Sequence, residues 1–341
     1  MDLAAARLLR LRAQGLDGGT ADPASAVRRL LAVQAQDVGS PLLAIAQRTH
    51  PRASRAEVEA AFASGRVVRT WTMRGTLHAI AVEDAPWLLA LTGERTLAST
   101  ATMRRREGVT DDDLRRARTV AESLDDAGLR RPELLEAFRA AGVDPGGSRG
   151  YHVILALAAQ GVLQVGARED GQYRMHRGRG LEPLERDAAL ARLAIRYATG
   201  HGPVTDRDLA WWAAIPVTWA RRAFAAAGDA LEAVDVAGTP AWQVKGAEPA
   251  APGSVLALPS FDELVIGYAE RDAVLGAHPL AALVPDRNGR LRPFVAVDGR
   301  LVAAWDARAE PPRVWPLEVL PAPLLERAEV AAADASAWLA R

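Results

Sequence analysis

The stretch "LLAVQAQDVGSPLLAIAQRT", residues 30–49, sets two glutamines one residue apart, Gln34 and Gln36, at the edge of an apolar run. A carboxamide is a weak acid, a weak base and a poor nucleophile. Proton transfer and covalent catalysis are therefore beyond such a pair, and hydrogen bonding and the amide dipole remain. Each side chain offers one acceptor oxygen and two donor hydrogens. If residues 34–36 are extended, positions i and i+2 point the same way while Ala35 points opposite, and both amides converge on one place. The plainer reading is that the two glutamines cap carbonyls at a helix end.

Further groups suit binding. In "MRGTLH", Arg74, Thr76 and His78 share a face if the segment is a strand; local satisfaction inside a ribbon is the competing account for His78. "RMHRGRG" gathers Arg174, His176, Arg177 and Arg179 beside a hairpin, a set of cations suited to phosphate contacts, with a solvated loop as the alternative. The run "RRR" at 104–106 precedes "EGVTDDD" and can pair with those acids, while Asp37 suits a helix cap and Asp262 a turn. The six histidines are scattered without metal-ligand spacing, so no metal is expected. With no cysteine there is no thiol nucleophile and no thiolate zinc site. No GxGxxG follows a strand and no GK[ST] occurs, so no nucleotide or flavin cofactor is expected either. Lys245, in "WQVKGAE", is the only lysine and is expected at the tip of a hairpin.

These residues need a scaffold, and the chain is long enough for several small units. At 341 residues, 49% apolar and 25% charged, it has the balance of a soluble globular protein. The N-terminus lacks a secretory h-region, and no apolar stretch approaches the roughly 20 residues that span a bilayer, so a cytoplasmic protein without membrane contact is expected. Net charge is zero but unevenly spread. Residues 1–105 carry 14 Arg against 9 acids, and residues 231–341 carry 10 Lys+Arg against 15 acids. That asymmetry permits a basic working face beside an acidic tail domain.

Three stretches share one plan of helices, a turn and two short strands. The first joins "ADPASAVRRLLAV", "SPLLAIAQRT" and "SRAEVEAAFASG" to "RVVRTWTM" and "GTLHAIAV", with the first helix reaching about Val33, Ser40 as an N-cap, Pro41 in the first turn and Arg74-Gly75 as the hairpin turn. The second ends in "VLQVG" and "GQYRMH" joined by "ARED"; the third ends in "ALEAVDV" and "AWQVKG". "VTDDDL" and "VTDRDL" both open a helix with a Thr cap. Helix, helix, helix, hairpin is the winged-helix plan. Beyond "EPAAPG" the stretches "SVLALP", "ELVIGY", "RPFVAVDG", "RLVAAWDA" and "RVWPLEVL" read as strands. The expected fold class is α+β, with three tandem winged-helix units at 1–95, 96–182 and 183–250, then a small C-terminal β-sheet or barrel domain at 251–341.

The stretches "VQAQD", "RTWTMRGTLHAI", "GPVTDRDLAWW", "LPSFDELVIGYAERDAVL" and "VAVDGRLVAAWDA", in this order over nearly the whole chain, resemble the AlkZ-like branch of the AlkZ/YcaQ winged-helix DNA glycosylases. The glutamine, apolar residue, glutamine pattern is the most specific element, since the YcaQ branch has aspartate at the second place. The resemblance implies double-stranded DNA with alkylated purines as partner, Gln34 and Gln36 as catalytic residues, and Arg74, Thr76 and His78 on the DNA-facing side, while Arg174, Arg177 and Arg179 are expected at phosphates from the basic loop itself. A purine alkylated at N7 or N3 is already cationic and leaves without a general acid. What remains is to stabilise an oxocarbenium-like sugar and hold a water, which neutral amides can do. A monofunctional, monomeric, nucleoid-associated enzyme is expected, because Lys245 is the only lysine for a Schiff base. Trp71 is the aromatic nearest the glutamines in the motif, so a shallow site open to bulky adducts or interstrand crosslinks is expected. The competing reading is a non-catalytic winged-helix DNA binder or regulator.

Overall fold

The computed structural model describes residues 1–183, 185–284, 289–306, 309 and 311–341. Aspartate caps open the first helices. Asp2 accepts from the Ala5 amide at 2.8 Å at the start of α1 (Leu3–Ala13). Asp22 accepts from Ala24 and Ser25 at the start of α2 (Pro23–Leu30), which carries Pro23 in its first turn. Leu31, at φ 67°, stops α2 short of Val33, and β1 (Val33–Gln34) follows. In α3 (Ser40–Ala46) the side-chain cap comes from Asp37, which accepts from the Ser40 amide at 2.6 Å; Ser40 itself lies inside the helix. After α4 (Arg55–Ala63), β2 (Val67–Met73) and β3 (Thr76–Ala81) form the expected antiparallel ribbon. Their turn residues Arg74 and Gly75 have φ 55° and 66°, the doubly positive pattern that matches strand twist in a two-residue hairpin.

A continuous helix, α5 (Ala85–Arg106), then runs through the segment boundary expected at residue 95. Next come α6 (Asp111–Glu122), β4 (Leu129–Arg130), α7 (Arg131–Ala140), α8 (Arg149–Ala159), β5 (Leu163–Glu169) and β6 (Gln172–Arg177). The β5–β6 turn is Asp170-Gly171, because "ARE" continues the strand instead of forming a loop. There follow α9 (Arg186–His201), α10 (Asp206–Ala213), α11 (Val217–Ala227), β7 (Leu231–Val236) and β8 (Thr239–Val244). Thr110 and Thr205 cap α6 and α10 as expected, each in a reciprocal box with the aspartate three residues on. Lys245 lies just past β8, and the hairpin tip is Ala237-Gly238.

The last segment holds β9 (Val255–Leu258), α12 (Glu263–Ile266), α13 (Asp272–Leu275), β10 (Phe294–Val297), β11 (Arg300–Asp306), β12 (Arg313–Pro316) and α14 (Ala322–Ala340). "ELVI" was expected as a strand. It is a helical turn because Asp262 caps it, accepting from the Leu264 amide at 2.9 Å.

The fold is mixed α+β, and packing groups the chain into two compact units, residues 1–58 with 190–341, and residues 59–189. In the second unit the strands run β3-β2-β5-β6-β4. There α8 packs on α5, α6, β2 and β5, with Ile154, Leu157, Leu134 and Phe138 in the core. In the first unit β12-β11-β10-β9 form an antiparallel sheet, and α14 packs on β9, β12 and α3.

The first unit is pinned by a polar contact. Arg48 and Asp262, both 0% exposed, pair in bidentate fashion at 2.9 and 2.8 Å. Arg48 also donates to the Ala44 carbonyl and to Gln14 Oε1. Asp262→Ala would strand a buried guanidinium, and the unfolding free energy of the whole chain in urea is expected to fall by about 3–5 kcal/mol. A loss below about 1 kcal/mol, as for an exposed pair, would show that the contact does not pin the unit.

Candidate functional site

The two glutamines lie where α2 has ended and α3 has not begun. Leu31 turns the chain out of α2, and residues 33–34 extend. Ala35, 1% exposed, points into the core, while Gln34 is half-buried and Gln36 exposed on the other side. Gln34 Nε2 donates to Gln36 Oε1 at 3.0 Å, so the side chains share a face and meet. That bond leaves Gln34 Oε1 as an acceptor and Gln36 Nε2 as a donor, with no further partner for either among the described residues. Neither glutamine caps a helix-end carbonyl. Immediately beyond, Asp37, Gly39 and Ser40 line a groove of about 340 Å³ together with Ser260, Trp305 and Trp315.

The segment carrying the pair is held at both ends. Arg29 donates to the carbonyls of Ala13 and Arg12 and so ties α2 to α1. Gln47 Nε2 donates to the Ala257 carbonyl of β9 at 2.7 Å. Behind Arg48 the network continues through Gln14 to the Tyr268 hydroxyl, which donates to the His201 carbonyl at 2.8 Å.

In the second unit, Arg74 and Thr76 are half-buried at the β2–β3 turn, whereas His78 is fully buried. Arg74 Nη2 lies 3.2 Å from His78 Nε2, and a guanidinium can only donate, so Nε2 accepts. The ring proton is therefore on Nδ1, 3.0 Å from the Thr76 carbonyl and 3.1 Å from Thr72 Oγ1. Burial, helped by the Arg74 charge, holds this imidazole well below the ordinary histidine value. His78, expected on the DNA-facing side, thus has no exposed surface and holds the hairpin and Arg74 instead. Desolvation decides this, because the ring lies under the turn.

The second basic group divides. Arg174 is engaged inside the unit, with Glu169 at 2.6 and 3.0 Å and with the carbonyls of Ala127 and Gly128. Arg177 and Arg179 are exposed, without an ion-pair partner among the described residues, beside a groove of about 740 Å³ that also meets Ser64, Gln164 and His176.

Sequence pattern does not single out Tyr151, and it offers the nearby acids as partners for Arg104, Arg105 and Arg106. Tyr151, in the first turn of α8, is 39% exposed and stands edge-on to Trp71 at 5.7 Å and to His152 at 5.2 Å. Asp112 pairs with Arg115 and Arg116 and Asp113 with Arg149, so Arg104, Arg105 and Arg106 at the end of α5 have no direct ion pair among the described residues, and Asp111 acts on Arg104 only through its field. The triple arginine was the available signal for this basic helix end; nothing local marks Tyr151 as exposed. Among the described residues no group of His, Cys, Asp or Glu is arranged for a metal, and no helix is long and apolar enough to cross a membrane.

The family model described as DNA glycosylase AlkZ-like matches residues 27–341, a span that includes both glutamines, the β2–β3 hairpin and Asp262. The chain belongs to the AlkZ-like DNA glycosylase family. It is 30% identical to the interstrand DNA cross-link repair glycosylase of Streptomyces sahachiroi, over 96% of this chain and 92% of that protein. Among solved structures it is similar to the Streptomyces sahachiroi DNA glycosylase AlkZ, with a TM-score of 0.83 and 26% identity, covering 99% of this chain and 97% of that one.

Family membership does not assign the hairpin histidine a role, but its burial makes it titrate in stability. The folded value is depressed, so below about pH 6.5 the unfolded chain binds a proton that the folded chain refuses. Stability is unaffected by this group above that pH and falls as pH drops towards the folded value. Urea unfolding between pH 6.5 and 5 should show a slope that His78→Gln reduces by up to about 1.4 kcal/mol per pH unit. An identical slope in the variant would mean that His78 protonates freely in the fold.

Proposed function

We propose that this chain is a monofunctional DNA glycosylase that hydrolyses the N-glycosidic bond of purines alkylated at N7 or N3, bulky adducts and interstrand crosslinks included. The observation that carries the reading is the converged, uncharged pair Gln34–Gln36. In a substrate of this kind the base is already cationic and departs with the bonding electrons, leaving an oxocarbenium-like sugar. The unshared amide oxygen of Gln34 faces that charge or accepts an O–H of the incoming water, while Gln36 Nε2 donates to the water oxygen or a neighbouring acceptor. The water proton is lost to solvent once the new bond has formed. Lys245, the only lysine, is paired at 3.7 Å with Asp229 past the third hairpin, which favours hydrolysis over a Schiff-base lyase route. Membership of a glycosylase family favours catalysis over a purely DNA-binding role, and the cross-link repair named for the Streptomyces relative supports extension to bulky lesions.

The proposed organisation is three winged-helix segments followed by a C-terminal sheet domain, acting as a monomer on DNA in the cytoplasm. Support comes from element order: α6, α7, α8, β5, β6 and then α9, α10, α11, β7, β8 each give three helices and a hairpin. In the second segment the third helix, α8, is buried from His152 to Ala159 and shows chiefly Tyr151 to solvent. Such a helix cannot lie in a major groove in the usual way. Binding is assigned to the β2–β3 turn with Arg74 and Thr76, to Arg177 and Arg179, and to the end of α5. Arg174 braces β6 and His78 braces Arg74.

Excision is tested on duplex DNA holding one N7-methylguanine, with alkaline cleavage of the abasic product. Gln34→Ala and Gln36→Ala should each slow excision about 100-fold or more, with little change in DNA affinity. The double variant should be less than additive, because the pair serves one transition state. Gln36→Asp should keep more activity than Gln36→Ala. Wild-type rates in both alanine variants would return the glutamines to a structural role.

DNA affinity should fall linearly with the logarithm of salt, and Arg177→Ala should flatten the slope by about one unit, whereas Arg174→Ala should not. Equal slopes in wild type and Arg177→Ala would remove this loop from the interface.

A further inference from the structure

A second cavity, of about 850 Å³, lies within the first unit between α1, the start of α10, α11, the β7–β8 hairpin and residues 270–273. It shares no residue with the groove beside Asp37 and includes neither glutamine. Arg10 lines it and is 5% exposed, whereas Arg207, Arg221, Thr239 and Asp272 are exposed, so Arg10 forms the deep end and the others the rim.

Arg10 is poorly satisfied for so buried a cation. Its Nε donates to the Pro203 carbonyl at 3.1 Å, and its guanidinium lies 4.0 Å over the Tyr268 ring. Nη1 is buried without a hydrogen-bond partner, and Arg10 makes no ion pair with any described residue. A buried charge left in this state is costly unless something completes it. The two rim arginines cannot be what attracts an anion, since Arg207 pairs with Glu270 at 3.5 Å and Arg221 with Asp206 at 2.6 Å. One wall is flat and apolar, where Phe224 and Trp242 stack at 5.5 Å with planes 7° apart.

We propose that this cavity is a binding site for a small monoanion, a carboxylate carried on a flat apolar body, with Arg10 completing the carboxylate and the Phe224–Trp242 pair covering the body. With Arg207 matched by Glu270 and Arg221 by Asp206, Arg10 is the one cation of the lining without an ion pair among the described residues, and a single guanidinium at the deep end matches a single carboxylate. Asp272, the rim acid without an ion pair among the described residues, opposes any further negative charge, as on a doubly charged phosphate or a DNA backbone. A pocket with an apolar wall and one oriented charge is the usual form of a small-molecule site.

The probes are biphenyl-4-carboxylate, its neutral primary amide, and inorganic phosphate, titrated into the whole chain by calorimetry and ligand-observed NMR. The carboxylate should bind with one-to-one stoichiometry, the amide about ten-fold more weakly or worse, and phosphate not measurably. Arg10→Met should lose the preference for the carboxylate. Because that variant also removes buried polar contacts from the fold, Ala225→Trp, at an exposed position of α11 on the cavity wall, supplies a second arm: it should block binding while keeping the circular dichroism and the excision rate of wild type. No binding of the carboxylate at millimolar concentration, equal binding of the amide, or undiminished binding in Ala225→Trp each overturns the proposal. None of these outcomes bears on the glutamine pair, whose own readout is excision.

Discussion

The bidentate contact between Arg48 and Asp262 is the constraint on which the first unit depends, because both charges are fully buried and each would be intolerable without the other. One guanidinium serves three elements. It bonds the last turn of α3 through the Ala44 carbonyl, the C-cap of α1 through Gln14, and the start of α12 through Asp262. Asp262 in turn accepts the Leu264 amide, so the ion pair and the helix cap are one arrangement. Apolar packing alone would allow these elements to slide against one another. A buried pair satisfied in one geometry does not.

That constraint reaches the glutamines through α3. Arg48 and Gln47 fix its far end, Asp37 caps its near end, and Arg29 fixes α2 against α1. The chain from Leu31 to Gly39 has little freedom between two anchored helices. Ala35 turned inward then obliges Gln34 and Gln36 to turn outward together. Dipoles aid a transition state chiefly when they are aimed before the reaction begins, since reorienting them during it would cost what they supply. The amides are held by the scaffold, and the hydrogen bond between them fixes which oxygen is left over.

Local chemistry was legible in the sequence; distant partners were not. The Thr110 and Thr205 caps and the Arg74-Gly75 turn depend on neighbours within a few residues, and pattern alone located them, whereas the i, i+2 convergence of the glutamines was legible only on condition that the segment is extended. "ELVI" is too short for periodicity to decide, and the residue that makes it helical, Asp262, is oriented by Arg48, 214 positions away. His78 and Arg174 show a different gap. Their residue types suit a ligand, but type does not reveal exposure, and the structure uses both internally. The Glu169 partner of Arg174, five positions back across a hairpin turn, was within reach of a register argument. Arg48 and Arg10 were not, as nothing in their local sequence distinguishes a buried arginine from a solvated one.

The hairpin and the glutamine pair differ in how they carry charge. At the hairpin, Arg74 meets an imidazole kept neutral through burial, a contact that orients the guanidinium and itself adds no opposing charge. A carboxylate in the place of His78 could orient Arg74 as well but would bring a negative charge to the hairpin. At the glutamines the reverse holds. The proposed substrate, an alkylated purine, is cationic before its bond breaks, so a carboxylate there would attract the substrate as well as the transition state and gain little in rate. An amide dipole falls off faster with distance than a charge does. It therefore discriminates more sharply between positive charge resting on the base and positive charge arriving at the sugar carbon. Under the proposed function, the neutral pair Gln34–Gln36 and the arginines assigned to phosphate would thus be two answers to one electrostatic problem, a substrate that is cationic at its lesion and anionic along its backbone.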